Sequence, residues 1–362
     1  MRLLLKLAVG LVLLASLLSL AGVYVERLDL IANFSPVFAA ASLVLGLVLL
    51  ALKERWSAAL AGLLLVTNLL PVLFYPRAAD VDGAAAAAKG GRLTVLTVNL
   101  WGTNSDLEKV EGLIARTRPD FVLLQELSPE RSDLLTRLKP AYPWQRHCAH
   151  IRYCRLAILS KHPWTRAEAR VAHPGRLPLA RAEFGTELGN LLVLNAHLVR
   201  PYRASQRVQL ATLGQSIGSW PGPVIVGGDF NAAPWSWTLR QFSDATDLRA
   251  AGPHLPSWPR RLMLAGRPVR FPMLQLQLDQ VWLSGEATVI AAEQGADIGS
   301  DHMPLIVHLR LPGKHVLVSQ AGPFRLGEPH SRRRARQPTT AILPVIPAKA
   351  GIHWPQQQIK EK

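Results

Sequence analysis

The apolar residues of this chain form three long runs near its start and many short runs after residue 91. The long runs cover about residues 7–25, 32–52 and 57–75, and short charged turns separate them. A helix that crosses a bilayer needs roughly 20 apolar residues, so each run is of membrane-spanning length. The pattern predicts a membrane anchor of three transmembrane helices over residues 1–78. The alternatives are a cleaved signal peptide, which would explain only the first run, and buried helices of a soluble core.

The basic residues predict the orientation of these helices. Arg2 and Lys6 precede the first run, and Lys53 and Arg55 lie between the second and the third. Lys and Arg favour the cytoplasmic side of a membrane, so both segments are expected there. An odd number of spans then places everything after about Arg77 outside the cytoplasm.

Two segments have no core-forming pattern. Residues 79–91 are rich in Ala and Gly and predict a linker, and residues 313–362 are rich in Arg, Pro and Gln and predict a disordered tail. The tail holds nine Lys or Arg and two Asp or Glu, so it carries +7 of the formal charge of +16 and the rest of the chain carries +9. That remaining charge favours an anionic partner or a surface near acidic lipids.

Between residues 92 and 312 the pattern is that of a strand-rich domain. Residues 106–117 repeat apolar positions at helical spacing. Short β-branched runs predict strands at residues 92–99, 119–126, 155–160, 191–197, 223–231, 278–284 and 303–309. A strand, a helix and a further strand in succession indicate an α/β domain.

Polar side chains lie at the ends of these strands. They are Asn99, Glu126, Asn195, His197, Asp229, Asn231, Asp279, Asp301 and His302. Residues i and i+2 of an extended chain share a face, so Asp229 and Asn231 are expected to point into one pocket. A turn in which both cap backbone amides is the alternative for this pair. The recurrence of polar groups at strand ends favours one site at one edge of the core.

In their order along the chain, these residues resemble the motifs of the endonuclease/exonuclease/phosphatase family, which includes DNase I-like nucleases, inositol-polyphosphate phosphatases and neutral sphingomyelinases. The motifs are Val-Asn-Leu-Trp101, Leu-Gln-Glu126, Asn-Ala-His197-Leu, Gly-Asp229-Phe-Asn231, Leu-Asp279-Gln-Val and Gly-Ser-Asp301-His302. The resemblance covers about residues 92–312. It implies a four-layer α/β sandwich, in which helices flank two packed β-sheets, and a hydrolase of phosphoester bonds.

The resemblance implies a metal site. Mg²⁺, with Mn²⁺ as a substitute, is the expected cofactor, and Glu126, Asp301 and Asn99 are the expected ligands. Carboxylate and amide oxygens are the ligands that Mg²⁺ prefers. A cation of this kind offsets the charge that develops at a phosphoryl group.

The resemblance also implies catalytic roles. His302 backed by Asp279 would be an efficient base, because the acid orients the imidazole. Asp229 would orient or deprotonate the attacking water, and which of His302 and Asp229 takes the proton stays open. His197 and Asn231 would hydrogen-bond the phosphoryl oxygens.

The substrate is predicted from residues next to these motifs. Asn195, Arg203 and Trp235 are the candidate substrate-binding residues; Arg203 and Arg261 could contact a polyanion or belong to solvated basic segments, and Trp235 could stack on a base or lie at a membrane interface. A membrane-anchored nuclease is the first expectation. A phosphatase or phosphodiesterase of lipid headgroups is the second, and a non-catalytic membrane scaffold is the third.

The helices ahead of the domain look like those of a membrane-bound bacterial branch of the family. This implies a multi-pass protein of the inner membrane, with its catalytic domain on the periplasmic or extracellular side. The only cysteines, Cys148 and Cys154, agree with export, since an even pair in an exported domain predicts a disulfide. A metal site with His147 and His150 is the alternative.

Overall fold

The helices and strands of the protein are those of a computed structural model, which describes residues 1–78, 91–203, 205–260, 262–264, 267–269, 275–284 and 287–311. The helices are α1 (Arg2–Ala21), α2 (Asp29–Ala32), α3 (Ser35–Ala51), α4 (Arg55–Leu73), α5 (Leu107–Thr117), α6 (Asp133–Leu138), α7 (Gln206–Ile217) and α8 (Trp237–Thr246). The strands are β1 (Arg92–Asn99), β2 (Phe121–Gln125), β3 (Trp144–His147), β4 (Ala157–Ser160), β5 (Arg166–Ala172), β6 (Leu177–Glu183), β7 (Leu192–His197), β8 (Val224–Asp229), β9 (Arg249–Ala250), β10 (Leu262–Leu264), β11 (Arg267–Val269), β12 (Asp279–Leu283), β13 (Thr288–Gln294) and β14 (Leu305–Arg310). The predicted tail, and the predicted linker apart from residue 91, lie outside the described residues.

Twelve of the strands form two six-stranded sheets of matching design. The first has the order β13-β14-β1-β2-β4-β3, and the second has the order β5-β6-β7-β8-β12-β9. In each sheet only the central pair is parallel, β1 with β2 and β7 with β8. All other neighbours are antiparallel. Strands β10 and β11 form a separate ribbon.

The two sheets pack face to face and helices cover their outer faces. Helices α5 and α6 share an apolar core with the first sheet, and α7 and α8 share one with the second. Between the sheets contact is close, since a Cβ atom on Gly227 of β8 would lie 2.4 Å from Cδ1 of Leu123 on β2. This is the predicted four-layer sandwich, and it explains why every residue of β2 and of β8 is buried.

Strand direction brings residues from distant parts of the chain to one edge. Strand β12 runs antiparallel to β8 and pairs Asp279 with Asp229. Strand β14 runs antiparallel to β1 and pairs Leu305 with Thr97. The residues that begin β12 and precede β14 therefore lie beside the residues that end β8 and β1.

In the anchor many apolar side chains are exposed and several polar ones are buried, which is the reverse of the distribution in a water-soluble protein. Leucines of α1 such as Leu7, Leu11 and Leu14 are exposed, whereas Ser16 and Asn68 are buried between helices, where Asn68 Nδ2 donates to Ser16 Oγ at 2.8 Å. Small and polar residues at helix contacts, with apolar residues outside, are typical of membrane helices. By length and hydropathy, α1 and α4 can each cross a membrane. The segments Glu26–Ala32 and Ser35–Ala51, which meet at a bend of 52°, form a third candidate if together they count as one span.

The two ends of the anchor face different surroundings. At one end Arg2 and Lys6 lie 3.6 Å and 2.8 Å from the carboxylate of Glu54, so the start of α1 lies beside the turn between α3 and α4. At the other end Arg207 of α7 donates to the carbonyl oxygen of Gly22 at 2.5 Å. The sandwich thus packs on the end of the anchor that is remote from its basic residues.

Candidate active site

Asp229, the last residue of β8, is the centre of the site. Its Oδ1 accepts from Asn231 N at 2.8 Å, and its Oδ2 accepts from Asn99 Nδ2 at 3.0 Å. His197 of the neighbouring strand places Nε2 3.4 Å from the same Oδ2. Burial raises the pKa of Asp229, although the positive charges of His302 and His197 oppose this shift. A buried carboxylate with several donors is held in one orientation, which is what positioning a water requires.

The backbone at this edge adopts unusual conformations. Gly228 has a φ of +143°, and a Cβ atom there would lie 1.9 Å from the carbonyl oxygen of Ala196, so only glycine lets β8 pass β7 at this point. Trp101, Glu126 and Asn231 have φ values of 55°, 56° and 51°. Such values are uncommon for non-glycine residues, and the three at this edge are the predicted ligand Glu126 and two residues that contact Asn99 and Asp229.

His302 and Asp279 form the predicted dyad. His302 Nδ1 lies 2.6 Å from Asp279 Oδ2, and its Nε2 is turned toward Asp229 Oδ2 at 3.9 Å. Both side chains are buried. Burial alone would lower the pKa of His302, but the charges of Asp279, Asp229 and Asp301 outweigh it and raise the pKa to about 10. Ser257, which no sequence motif indicated, holds the start of β12, because its Oγ accepts from Asp279 N at 3.0 Å.

Glu126 and Asp301 carry the carboxylates predicted to hold the metal ion. Glu126 Oε2 accepts from Gly102 N at 2.9 Å. Asp301 Oδ2 accepts from Trp258 Nε1 at 3.2 Å, while its Oδ1 is buried and has no hydrogen-bond partner among the described residues. A buried carboxylate oxygen without a donor is costly unless a cation satisfies it. The donor set therefore fits a hard divalent cation.

Asn99 has contacts that differ from the predicted metal ligation. Its Oδ1 accepts from Trp101 N at 2.9 Å, so the oxygen is turned away from the carboxylates. Its Nδ2 donates to Glu126 Oε1 at 3.4 Å as well as to Asp229. Asn99 thus links the two carboxylates instead of offering an oxygen ligand.

Asp229, Asp279 and His302 form a second group in which a metal ion is geometrically possible. Their ligand atoms all lie within 4.8 Å of one another. His302 could ligate through Nε2, because its Nδ1 makes the short contact with Asp279 while Nε2 is turned toward Asp229. Glu126 and Asp301 are not members of this group, and they stay the predicted ligands.

Asn231 and Asn195 have structural contacts in place of the predicted substrate contacts. Asn231 Nδ2 donates to Leu198 O at 2.8 Å and to Asp229 Oδ2 at 3.3 Å, so its amide positions Asp229. Asn195 is fully buried and donates to the carbonyl oxygens of Leu124 and Ala157 in the opposite sheet at 2.8 Å and 2.9 Å. Its oxygen accepts from Gln125 at 2.7 Å. Asn195 therefore joins the two sheets below the site.

The other two substrate candidates lie in different surroundings. Trp235 is buried, and its Nε1 donates to the carbonyl oxygen of Ala32 in the anchor at 2.8 Å, so its ring is not available to stack on a base. Arg203 is exposed in the loop after His197. Arg261 lies outside the described residues.

Cys148 and Cys154 form a disulfide with a Cα–Cα distance of 5.7 Å. The bond uses both thiols, so the alternative of a metal site with His147 and His150 lacks its sulfur ligands. The loop that it closes follows β3 and leads to β4 at the edge of the first sheet.

The chain belongs to the Endonuclease/Exonuclease/phosphatase family, whose sequence model matches residues 96–302. That range contains every site residue described above. Endonucleases, exonucleases and phosphatases all hydrolyse phosphoester bonds, so membership of this family is consistent with phosphoesterase activity. No curated protein matches the chain.

Solved structures share the fold at low sequence identity. D. rerio TDP2 complexed with single strand DNA product has a TM-score of 0.51 and 17% identity, over 61% of this chain and 99% of that one. TDP2 from C. elegans has a TM-score of 0.47 and 17% identity, over 62% and 77%. Beta toxin from Staphylococcus aureus has a TM-score of 0.45 and 16% identity, over 59% and 99%. The likeness to D. rerio TDP2 shows a common fold and leaves the substrate open.

Proposed function

We propose that the protein is a divalent-metal-dependent phosphoesterase, with Mg²⁺ as the cofactor and Mn²⁺ as a substitute. The observation that carries this proposal is the contact of His302 with both Asp279 and Asp229. Asn99 links Glu126 to Asp229, and the charge of Asp301 acts on His302. These groups supply what in-line displacement at phosphorus needs: a cation site, a held water and a proton acceptor.

Each side chain has a role in the proposed mechanism. A divalent cation held by Glu126 and Asp301 would offset the charge that develops on the phosphoryl oxygens. Asp229, fixed by its hydrogen bonds, orients the attacking water and accepts its proton, while the raised pKa of His302 keeps the imidazole protonated beside Asp229. Asp279 holds the imidazole of His302 in place. His197, which is partly exposed beside Asp229, donates to a phosphoryl oxygen.

The test uses the full chain in detergent with bis(p-nitrophenyl) phosphate as substrate. EDTA is expected to abolish turnover, and added Mg²⁺ or Mn²⁺ to restore it. Glu126→Ala and His302→Ala should each lower kcat by at least about 100-fold. Asp247→Ala is the matched control, because this side chain is 81% exposed. Turnover that persists in EDTA would overturn the proposal.

A phospholipid headgroup is the substrate that the site supports best. Trp235 and Arg207, which would suit a nucleic acid, are both engaged with the anchor. The exposed Trp101 and Tyr202, each 43% exposed, follow the strands that carry Asn99 and His197. Exposed aromatic rings beside a site at the end of membrane helices suit an interface with lipid.

Nucleic acid is the second candidate, and the loop after His197 favours it. Arg200 and Arg203 are exposed there, and hydrogen bonds from both lower the pKa of Tyr202 between them. Two guanidinium groups on one exposed loop could contact a phosphate backbone.

Salt dependence separates the two candidates. If Arg200 and Arg203 follow a nucleic-acid backbone, the affinity for an oligonucleotide in Ca²⁺ should fall by about 0.7–0.9 log units per log unit of salt for each phosphate contact. Arg203→Ala should make this slope shallower, and Arg92→Gln on β1 serves as the charge-matched control. A slope below about two that Arg203→Ala leaves unchanged would exclude the nuclease and favour the lipid enzyme.

We further propose that the three helical segments of the anchor each cross the inner membrane of a bacterium. The ion pairs of Arg2 and Lys6 with Glu54 support this arrangement, because they gather the basic residues at one end. The positive end is expected in the cytoplasm, which puts the catalytic domain on the periplasmic or extracellular side.

A further inference from the structure

The loops that follow the two central strands of the second sheet both lead into helices that touch the anchor. Strand β7 ends at His197 and its loop leads to α7, while β8 ends at Asp229 and its loop leads to α8. The first backbone N–H groups of any helix have no partner within the helix. In α7 and α8 acidic side chains from the segment after α1, residues 26–33, supply some of these partners, and Ser236 supplies another in α8.

Asp29 caps α8 from the anchor. Its Oδ1 accepts from Trp237 N at 2.9 Å, and its Oδ2 accepts from Thr238 N at 2.9 Å and from Thr238 Oγ1 at 2.5 Å. Asp29 is completely buried. Within the described part of the chain, all hydrogen bonds of its carboxylate go to the catalytic sandwich. A carboxylate at a helix N-terminus is favoured by the helix dipole and makes strong, charge-assisted bonds.

Glu26 has the same relation to α7. Its Oε1 accepts from Arg207 N at 2.8 Å, in the first turn of that helix. The guanidinium group of Arg207 in turn donates to the carbonyl oxygens of Gly22 and Val23 at 2.5 Å and 3.1 Å. The start of α7 is thus fixed to the end of α1 through both its backbone and its side chain.

The segment between Asn231 and α8 is held by the same turn. Ala233 N donates to Asn33 Oδ1 at 2.8 Å, and Trp235 Nε1 donates to Ala32 O. This segment begins directly after Asn231, whose amide orients Asp229. Every residue from 232 to 236 is buried, so the loop cannot exchange these partners for water without moving.

We propose that residues 26–33 of the anchor are a positioning element of the active site, in which Asp29 holds the loop after Asp229 and Glu26 holds the loop after His197. This inference rests on the proposed function, since it assigns the anchor a part in that reaction. The catalytic unit then includes the turn of the anchor, and a fragment that begins at residue 92 lacks two of its helix caps.

The test compares Asp29→Asn with Glu54→Gln in the full chain in lipid nanodiscs. Both changes neutralise one acid of the anchor, but Glu54 lies at its opposite end. In Asp29→Asn, amide hydrogen exchange in residues 232–240 should rise at least about tenfold and kcat should fall at least about tenfold, because small displacements of positioning groups are costly. The Mg²⁺ concentration for half-maximal activity should stay within about twofold, since Glu126 and Asp301 lie on other segments.

Several outcomes decide the inference. Exchange and kcat equal to those of Glu54→Gln would overturn it, and so would raised exchange with unchanged kcat, which indicates a purely structural contact. If Asp29→Asn does not fold, Asn33→Ala removes only the bond to Ala233 and should show the same changes at smaller size. If the unmodified chain hydrolyses no phosphoester, the proposed function fails, and the exchange comparison alone decides whether the anchor holds the loop.

Discussion

At the scale of single residues, the feature that matters most is the 2.6 Å contact between His302 Nδ1 and Asp279 Oδ2. Both side chains are buried. A buried imidazole beside a carboxylate has one preferred orientation, and its other nitrogen is presented to the site. In this protein that nitrogen faces Asp229 Oδ2 at 3.9 Å. The dyad and Asp229 therefore act as one unit, and a change in any member should affect the others.

Asp279→Asn tests this unit. The amide has a similar shape but no charge, so it stabilises neither the orientation nor the imidazolium form of His302, and kcat should fall by about 100-fold or more. KM should change little, because Asp279 lies behind His302 and does not reach the substrate. Steady-state kinetics with bis(p-nitrophenyl) phosphate provides the measurement, with Asp247→Asn as the exposed control. A kcat within about threefold of the unmodified chain would contradict the role of the dyad.

At the scale of secondary-structure elements, the two sheets are joined by hydrogen bonds as well as by apolar packing. Asn195 of β7 reaches across to the carbonyl oxygens of Leu124 and Ala157. Leu124 is next to the last residue of β2, and Ala157 is the first residue of β4. One buried amide thus fixes the position of one sheet on the other, directly below the site.

Asn195→Ala should consequently affect stability more than catalysis. The change leaves two carbonyl oxygens and Gln125 without their partner and should lower the free energy of unfolding by about 2–4 kcal/mol. Denaturant unfolding of the full chain in detergent measures this, and Gln215→Ala at an exposed position of α7 is the control. If Asn195 bound substrate instead, the variant would keep its stability and show a raised KM.

At the scale of the whole molecule, the anchor and the sandwich form a continuous structure. Besides the turn after α1, the end of α4 contributes, since Ala78 N and Pro76 O pair with Ala250 of β9 in the second sheet. The anchor therefore extends a sheet of the catalytic domain. If the anchor crosses a membrane as proposed, these contacts would give the sandwich a fixed orientation to the bilayer, which a flexible linker alone would not.

Reporter fusions test the predicted topology. A reporter that is active only outside the cytoplasm should be active when fused after Leu311 and inactive when fused after Lys53, in the turn between α3 and α4. The reason is that an odd number of spans separates the basic end of the anchor from the sandwich. The reverse pattern would place the catalytic domain in the cytoplasm, where a disulfide between Cys148 and Cys154 would not persist.

The sequence by itself determined the central strands, the motif residues and the apolar helices. Strands β2 and β8 are buried on both faces, so their positions appear as continuous apolar runs that any reader of the chain can find. The edge strand β5 has mostly exposed or half-buried residues and gives no such signal. Asp229, Asp279 and His302 could be assigned because their motifs are local and lie at the ends of strands.

Only the tertiary structure decided which partner each polar group takes. Asn195 belongs to one motif and Trp235 follows another in the sequence, yet Asn195 binds the opposite sheet and Trp235 binds the anchor. Asn99 turns its oxygen to its own backbone. Asp29 lies in an anchor turn about 200 residues before the helix that it caps. Periodicity reports which face of an element is buried, whereas a hydrogen-bond partner depends on how distant elements pack, and local sequence does not contain that information.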